Sequence, residues 1–482
     1  VASICRRALA SKFWKISPTK NVPKSGFLFH ARAMNLAFDI GTSSLRTAIY
    51  QPGGRRVEGT LVQTTYPLMT DETGRAEIEP AALERAARAC LSGTLAAYDK
   101  LPAKEKKPIR AVGASCFWHS LIGLDTEGKP ATKIITWADS RGRHEAARLR
   151  DLHKEADYHQ HTGAMLRSSF WPAKLLWLRR TNPGAFDNVA TWLSPADWLY
   201  SRLCASWHPG YSMASGTGLL DRAAKDWSRS WLKRCHLRVG QLGEISDEPV
   251  ATSQSTARKF PALADALWYP PVGDGAANNL GCGATGPGVA AINFGTSAAI
   301  RIMTTGAAPA VPFGLFCYLV DRDHWLVGGA ISNAGNVRAW ALETLRLPEE
   351  AKLERELLRR FSKVSYLQVR PYLTAERAPD WPEDQPSRIE GMHPGTDAVE
   401  IFRALTDATY ARLATIGNLL QSKVSGPFRK VVVSGGLLRS AYGVKKLQAL
   451  LGCKLTPNED PEGSLRGAAL STRRIKTPGK DT

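Results

Sequence analysis

From Met34 onward, short apolar runs alternate with glycine-marked turns. Residues 35–40, 45–50 and 57–66 read as three strands, with Pro52-Gly53-Gly54 turning the chain between the second and third. Residues 80–98 are predicted to form an Ala-rich helix. Residues 110–124 are expected to form a second strand pair closed by a turn at 125–128, and 134–150 to pass from a short strand into an Arg-rich helix. The stretch 151–235 reads as mostly helical, with apolar spacing at Leu175, Leu176 and Leu178, and the mixed, polar stretch 236–268 as an inter-domain crossing. The second half repeats the alternation. An apolar run at 268–272 leads into GDGAANNLGCGATG, then strands at 292–303, 316–319 and 325–327. Helices are predicted over 334–362, 397–423 and 440–452, a buried strand over 430–434, and one more short strand before Gly467–Leu470. Strands and helices alternating in both halves predict an α/β protein.

Two stretches match each other. MNLAFDIGTSSLRTAIY (34–50) and INFGTSAAIRIM (292–303) each place a Gly-Thr-Ser turn between two apolar strands, and the turns stand 254 residues apart. Successive turn N–H groups and hydroxyls can cradle an anion. Two such hairpins in one chain suggest paired domains facing each other across a phosphate. Only the first carries an acid, Asp39, placed to hold a cation through water, in the manner of Mg²⁺. Asp274 lies between two glycines just after an apolar run and 19 residues before the second hairpin's Asn293. A carboxylate there could accept a hydroxyl proton while the hairpins hold a phosphoryl group.

Length, at 482 residues, favours two to four domains. With 43% apolar and 22% charged residues the composition is that of a globular protein, and no run of 18 apolar residues suggests a membrane span. The eight cysteines are scattered without Cys-x-x-Cys, which favours a reducing, cytoplasmic setting over a disulfide framework or a zinc site. The net charge of +20 points to nucleic acid only superficially. Residues 1–33 hold seven Lys/Arg and no acid, and the tail 471–482 holds four more basic residues against one acid. The remainder is spread thinly, as suits a cleft for ATP and an anionic substrate. The segment 1–33 has the composition of a transit peptide, but Met34 directly before the first strand favours upstream translated sequence, and it is set aside from the fold. GCGATG (281–286) leads into a strand where a dinucleotide motif needs a helix, and no P-loop motif occurs. His153, His159 and His161 have no helix-spaced carboxylates to make a metal site.

The ordered set DIGTSSLR (39–46), WHSLIGLDTEGKP (118–130), ITWADSRG (135–142), GDGAANNLG (273–281), NFGTSA (293–298), YLTAERAPDW (372–381) and SGGLLRS (434–440) resembles the FGGY carbohydrate kinases, and gluconokinases most of all. The resemblance covers about residues 35–470. It implies two actin-like (ribonuclease H-like) α/β domains flanking a catalytic cleft, residues 34–268 binding sugar and 269–470 binding ATP. It further implies Asp274 as catalytic base and Asp39 as the Mg²⁺ residue. Thr42, Ser43, Ser44, Arg46, Gly295 and Thr296 are implied on the nucleotide phosphates, and Gly335, Gly435, Gly436 and Ser440 beside the adenosine. Trp118, His119, Asp139 and Arg141 are implied in the sugar pocket, with Arg141 suited to a gluconate carboxylate. Glu376-Arg377 are expected to fix a loop rather than touch sugar. The polar segment 382–396 departs from the apolar, Gly-rich link implied there.

The expected activity is transfer of a phosphoryl group from MgATP to the terminal hydroxyl of D-gluconate, by one small-molecule enzyme without nucleic-acid or membrane partners. A homodimer stays open. Kinases for xylulose, ribulose, fuculose or glycerol differ only in pocket residues. A non-catalytic actin-like sugar-binding protein would be expected to lack Asp274, and a chaperone-type ATPase would need a peptide-binding domain that the chain has no residues to build.

Overall fold

A computed structural model describes residues 33–473, apart from 383. The expectations for 1–33, Ala33 apart, and for most of the tail 471–482 lie outside the described residues. Strands β1 (Met34–Ile40) and β2 (Ser44–Tyr50) pair antiparallel, and β3 (Val62–Thr65) joins the far side of β2. Helix α1 (Pro80–Asp99) starts with proline, whose missing N–H is no loss there, and buries Leu83, Ala87, Leu91, Leu95 and Tyr98 against the sheet. Strand β4 (Ile109–Cys116) returns parallel to β1. Buried on both sides, β1 is apolar nearly throughout rather than alternating.

The middle of the chain is largely helical, including α2 (Trp171–Thr181) and the short α3 (Tyr211–Ser215). Strands β5 (Val250–Ala251), β6 (Leu267–Trp268) and β7 (Val272–Gly273) then complete the first sheet in the order β5-β6-β4-β1-β2-β3, with β7 on the end of β4. Helix α4 (Asp274–Gly281) crosses to the second half, where β8 (Val289–Phe294) and β9 (Ala298–Thr305) form the echo hairpin. Strands β10 (Phe316–Asp321) and β11 (His324–Ile331), helices α5 (Gly335–Thr344), α6 (Glu350–Arg359) and α7 (Ala398–Leu420), strand β12 (Lys430–Gly435), helix α8 (Ala441–Leu451), strand β13 (Leu455–Pro457) and helix α9 (Gly463–Leu470) follow. The second sheet runs β10-β11-β9-β8-β12-β13. In each sheet a central hairpin carries an antiparallel neighbour on one side and a parallel strand on the other, so the two domains share one plan.

Three predicted elements differ from what forms. The run 57–66 gives only β3, because the Thr60 hydroxyl takes the ladder hydrogen bond of the Ile49 N–H and donates to the Val57 carbonyl. The expected pair over 110–124 is not a hairpin. After Cys116 the chain turns at His119, and Ile122–Leu124 pairs instead with Thr191–Leu193. The helix over 334–362 divides into α5 and α6 around Pro348.

The first sheet runs on to Gly273, and the chain leaves it where α4 begins at Asp274. It crosses back through α9, whose Leu465, Ala468 and Ala469 pack on Ala37, Ala48 and Tyr50 of the first sheet. Both crossings meet where α4 and α9 touch backbone to backbone. A Cβ on Gly467 would lie 1.7 Å from the Ala277 carbonyl oxygen, and one on Gly281 would lie 1.8 Å from that of Gly463. Only glycine permits this approach. Among the described residues no helix is long and apolar enough to cross a membrane.

Candidate active site

Between the two domains lies a cavity of about 230 Å³. Its walls come from both halves: Trp118 and His119 after β4, Phe170 before α2, Asp274 at the start of α4, Arg301 on β9, and Arg377 and Trp381 on the loop before α7. The two hairpins stand at its edge, since Asn293 and Ser297 line it and Trp137, another wall residue, donates its indole N–H to the Thr42 hydroxyl over 3.1 Å.

In the first hairpin Asp39 and Arg46 are register partners on β1 and β2. The Arg46 guanidinium lies 3.3 Å from the Asp39 carboxylate and 2.5 Å from that of Glu462, just before α9. Burial raises the Asp39 carboxyl to about 6, against the pull of Arg46 and with Asp274 and Glu462 pushing the same way as burial. A carboxylate held at this cost suits a divalent cation, whose charge would favour the ionised form. Asp39 could hold Mg²⁺ through water, with Asp274 and Glu462 the other carboxylates whose charge reaches it. The turn itself presents Thr42 half-buried and Ser43 exposed, while Ser44 begins β2.

In the second hairpin Gly295, Thr296 and Ser297 are all exposed. Helix α5 starts directly against this turn. Gly335 donates its N–H to the Gly295 carbonyl over 3.0 Å, and a Cβ on Gly335 would sit 2.4 Å from that oxygen. Gly435 adopts φ +96°, turning the chain beneath Phe294 where a side chain would strike the Phe294 carbonyl. Gly436 follows in the same turn. Ser440 is placed differently from the expectation: its buried hydroxyl caps α8 by accepting from the Gly443 N–H over 3.0 Å. The cap occupies the oxygen locally.

Asp274 opens on the cavity from the first turn of α4 and accepts a 2.7 Å bond from the Gly275 N–H. Asp274 is exposed to the cavity, yet desolvation by the surrounding protein raises its carboxyl above the usual carboxylate range, opposed by Arg301, the Gly275 bond and Arg377. A carboxyl so raised is better matched to accept a hydroxyl proton than an ordinary aspartate.

His119 sits at φ +65°, a conformation a non-glycine residue adopts at a cost. Its Nδ1 lies 2.5 Å from the Gly216 carbonyl oxygen, which can only accept, so Nδ1 carries the hydrogen and Nε2 is left as an acceptor. Burial lowers the ring to about 3, so it is neutral at physiological pH. The buried Lys174 ammonium donates to the His119 carbonyl over 3.0 Å and to the Ser169 carbonyl. Burial pushes Lys174 down to about 7, with Asp139 pulling the other way. The Trp118 indole fills the space left by two glycines. A Cβ on Gly273 would fall 1.8 Å from the ring, and one on Gly216 would fall 2.3 Å from it. Its N–H donates to the Ser212 carbonyl, and Tyr318 packs on it at 5.0 Å.

Asp139 and Arg141 do not reach the cavity. Asp139 is buried and accepts from the Ala76 N–H, the Arg141 N–H and the Arg141 guanidinium. Arg141 also bonds Glu77 and lies 4.1 Å over the Trp177 ring. This cluster ties the small sheet of Met69–Thr70, Ala76–Ile78 and Ile134–Ile135 to α2 and commits most of the Arg141 guanidinium to protein carboxylates. The Glu376-Arg377 expectation divides. Glu376 holds the loop, accepting from the Ser332 and Asn333 N–H groups, while Arg377 lines the cavity. Sequence reasoning misses Arg301, although a lone arginine inside the apolar run AAIRIM is the available signal.

The family model described as "FGGY family of carbohydrate kinases, N-terminal domain" matches residues 34–259, and the one for the C-terminal domain matches 290–472. The chain is 24% identical to the gluconokinase of Bacillus subtilis (strain 168) over 453 residues, 90% of this chain and 86% of that protein. It is 25% identical to the xylulose kinase of Klebsiella pneumoniae over 454 residues, 92% and 89% of the two chains. Among solved structures, the gluconate kinase from Lactobacillus acidophilus superimposes with TM-score 0.82 at 24% identity, covering 92% of this chain and 89% of that one. The xyloylose kinase from Brucella ovis does so with TM-score 0.83 at 24% identity, covering 91% and 90%.

Proposed function

Because the chain belongs to the FGGY family of carbohydrate kinases, ATP-dependent phosphotransferases with an alcohol acceptor, we propose that its acceptor is a sugar acid, D-gluconate, phosphorylated on its terminal hydroxyl to 6-phosphogluconate. The observation that carries the choice is the charge of the cavity. Asp274 faces two guanidiniums, Arg301 and Arg377, and His119 beside them is neutral. Among the described lining residues Asp274 is the only carboxylate against two guanidiniums, so the lining itself carries a net positive charge, with Glu376 beside Arg377 just outside it. An acceptor with one negative charge balances it; a neutral ketose or glycerol does not.

In this reading the terminal hydroxyl lies against Asp274, which takes its proton as the oxygen attacks the γ-phosphorus. The new oxygen–phosphorus bond forms as the bond to the bridging β,γ-oxygen breaks, and ADP leaves with that oxygen. Thr42, Ser43, Ser44 and Arg46 on one side and Gly295 and Thr296 on the other hold the phosphates in line. Gly335, Gly435 and Gly436 border the adenosine. Mg²⁺ held by Asp39 would neutralise charge on the phosphate oxygens. His119 Nε2 accepts from a sugar hydroxyl, and Trp118 and Tyr318 form an apolar wall. Positioning and charge stabilisation supply most of the rate.

The test is ADP release with MgATP and gluconate, xylulose, ribulose, fuculose or glycerol, with Asp274→Ala beside the wild type. Release with gluconate alone, lost in the variant by about 10²-fold or more, supports both assignments. Preference for xylulose, the substrate named for relatives of equal similarity, would discard the sugar acid and keep the base. Release without sugar that survives the substitution would discard the base.

A further inference from the structure

Arg301 is the residue of this cavity for which the fold supplies no internal acceptor: its Nε and Nη1 are shielded from solvent and make no hydrogen bond. An arginine keeps its charge in any setting, and a desolvated guanidinium that makes no hydrogen bond and has Asp274 as the carboxylate acting on it is a costly thing to retain. Its course is nonetheless defined. From β9, where it pairs across to Ala291 and Gly328, the side chain runs over two glycines. A Cβ on Gly328 would lie 3.0 Å from its Cγ, and one on Gly275 would lie 2.8 Å from its Nε. Two side chains are thus absent where they would block the path to the cavity. Arg377, the other cation, is already committed, donating to the Ser332 hydroxyl over 3.0 Å and to the Ile331 carbonyl over 3.1 Å.

We propose that Arg301 is the specificity residue of this kinase, its guanidinium pairing with the carboxylate of the acceptor. The inference rests on the sugar-acid reading above. Arg301 stands four residues beyond Ser297 on a strand leading away from the phosphate turn, about 13 Å at the rise of an extended strand. Its guanidinium reaches the same cavity that Trp118, His119 and Asp274 line. The cavity holds about eight water volumes, room for an open-chain acid of six carbons. Asp274 cannot serve as the permanent counter-ion, because it must accept a proton each turnover.

The experiment compares D-gluconate with D-gluconamide, which keeps every hydroxyl and loses the charge, in wild type, Arg301→Met, Arg301→Gln and Arg301→Lys. A charge-assisted bond corresponds to roughly 10- to 100-fold. The wild type should favour gluconate by about that factor in kcat/KM, and the ratio should collapse in the Met and Gln variants, mostly through the KM for gluconate. Lys should restore part of it, having charge without the planar fork. Without ligand, the Met variant should melt no lower than wild type, since it removes a desolvated charge and loses no hydrogen bond at Nε or Nη1. Gluconate should raise the melting temperature of wild type but not of the Met variant. If the wild type prefers gluconate and Arg301→Met keeps that ratio, this inference fails and the sugar-acid reading stands. It fails equally if both acceptors lose kcat to the same extent with a shifted pH profile, for Arg301 would then be positioning Asp274. If the wild type prefers a neutral sugar to any sugar acid, both fall.

Discussion

Asp39→Asn should make the ligand-free protein more stable while disabling it. The carboxyl is 7% exposed, and its rise from 3.8 to about 6 corresponds to about 3 kcal/mol against the ionised form. The sign follows from proton binding. Between pH 3.8 and about 6 the native state holds a proton that the unfolded chain has released, so stability falls as pH rises through that window and the full loss is reached above it. Asparagine has the shape of the protonated acid and never incurs this loss. It gives up the 3.3 Å contact to Arg46, but Arg46 keeps Glu462 at 2.5 Å. The net gain at pH 7.5 should be about 2 kcal/mol, or roughly 4–8 °C in the melting temperature for a domain of this size. At pH 4 the two proteins should melt together. The assay is calorimetry without nucleotide or Mg²⁺ at both pH values, beside kinase activity, which the substitution should reduce severely. An Asp39→Asn protein less stable than wild type at pH 7.5, or a difference that ignores pH, would refute the claim that this carboxylate is held at a cost.

Two further substitutions separate scaffold from site. Gly467→Ala puts a methyl 1.7 Å from the Ala277 carbonyl oxygen and must push α9 off α4; it should cost about 3 kcal/mol in urea melts and lower kcat as well, since α4 begins with Asp274. Arg141→Met leaves Asp139 and Glu77 without their cation. About 3 kcal/mol of stability should go, with the KM for the sugar within about twofold of wild type, the reverse of what a substrate contact would give.

The double hairpin was legible because its signal is local. A Gly-Thr-Ser turn between two apolar runs specifies the same hairpin wherever it occurs, and β1–β2 and β8–β9 form in register as the residues predict. The break at 117–121 was not legible, since nothing local in FWHS announces φ +65° at a histidine. That conformation depends on Gly216, nearly a hundred residues away, accepting from its ring, and on Lys174 bonding its carbonyl. Arg141 and Arg301 make the same contrast. Both are arginines in or beside family motifs, and which one faces a substrate depends on what else lies within reach. Arg141 finds Asp139 two residues before it and Glu77 across a small sheet; Arg301 finds two glycines and an open cavity.

The sequence by itself determined the α/β class, the paired phosphate turns, the family and Asp274 as the candidate base, because strand periodicity, turn chemistry and motif order are properties of neighbouring residues. Only the tertiary structure decided which charges are left over. Ion pairs form across hundreds of residues, as Arg46 with Glu462 does, and each one formed removes a charge from those free to face the cavity. The selectivity proposed for this site depends on that remainder of charge, which emerges only once every other partner has been found.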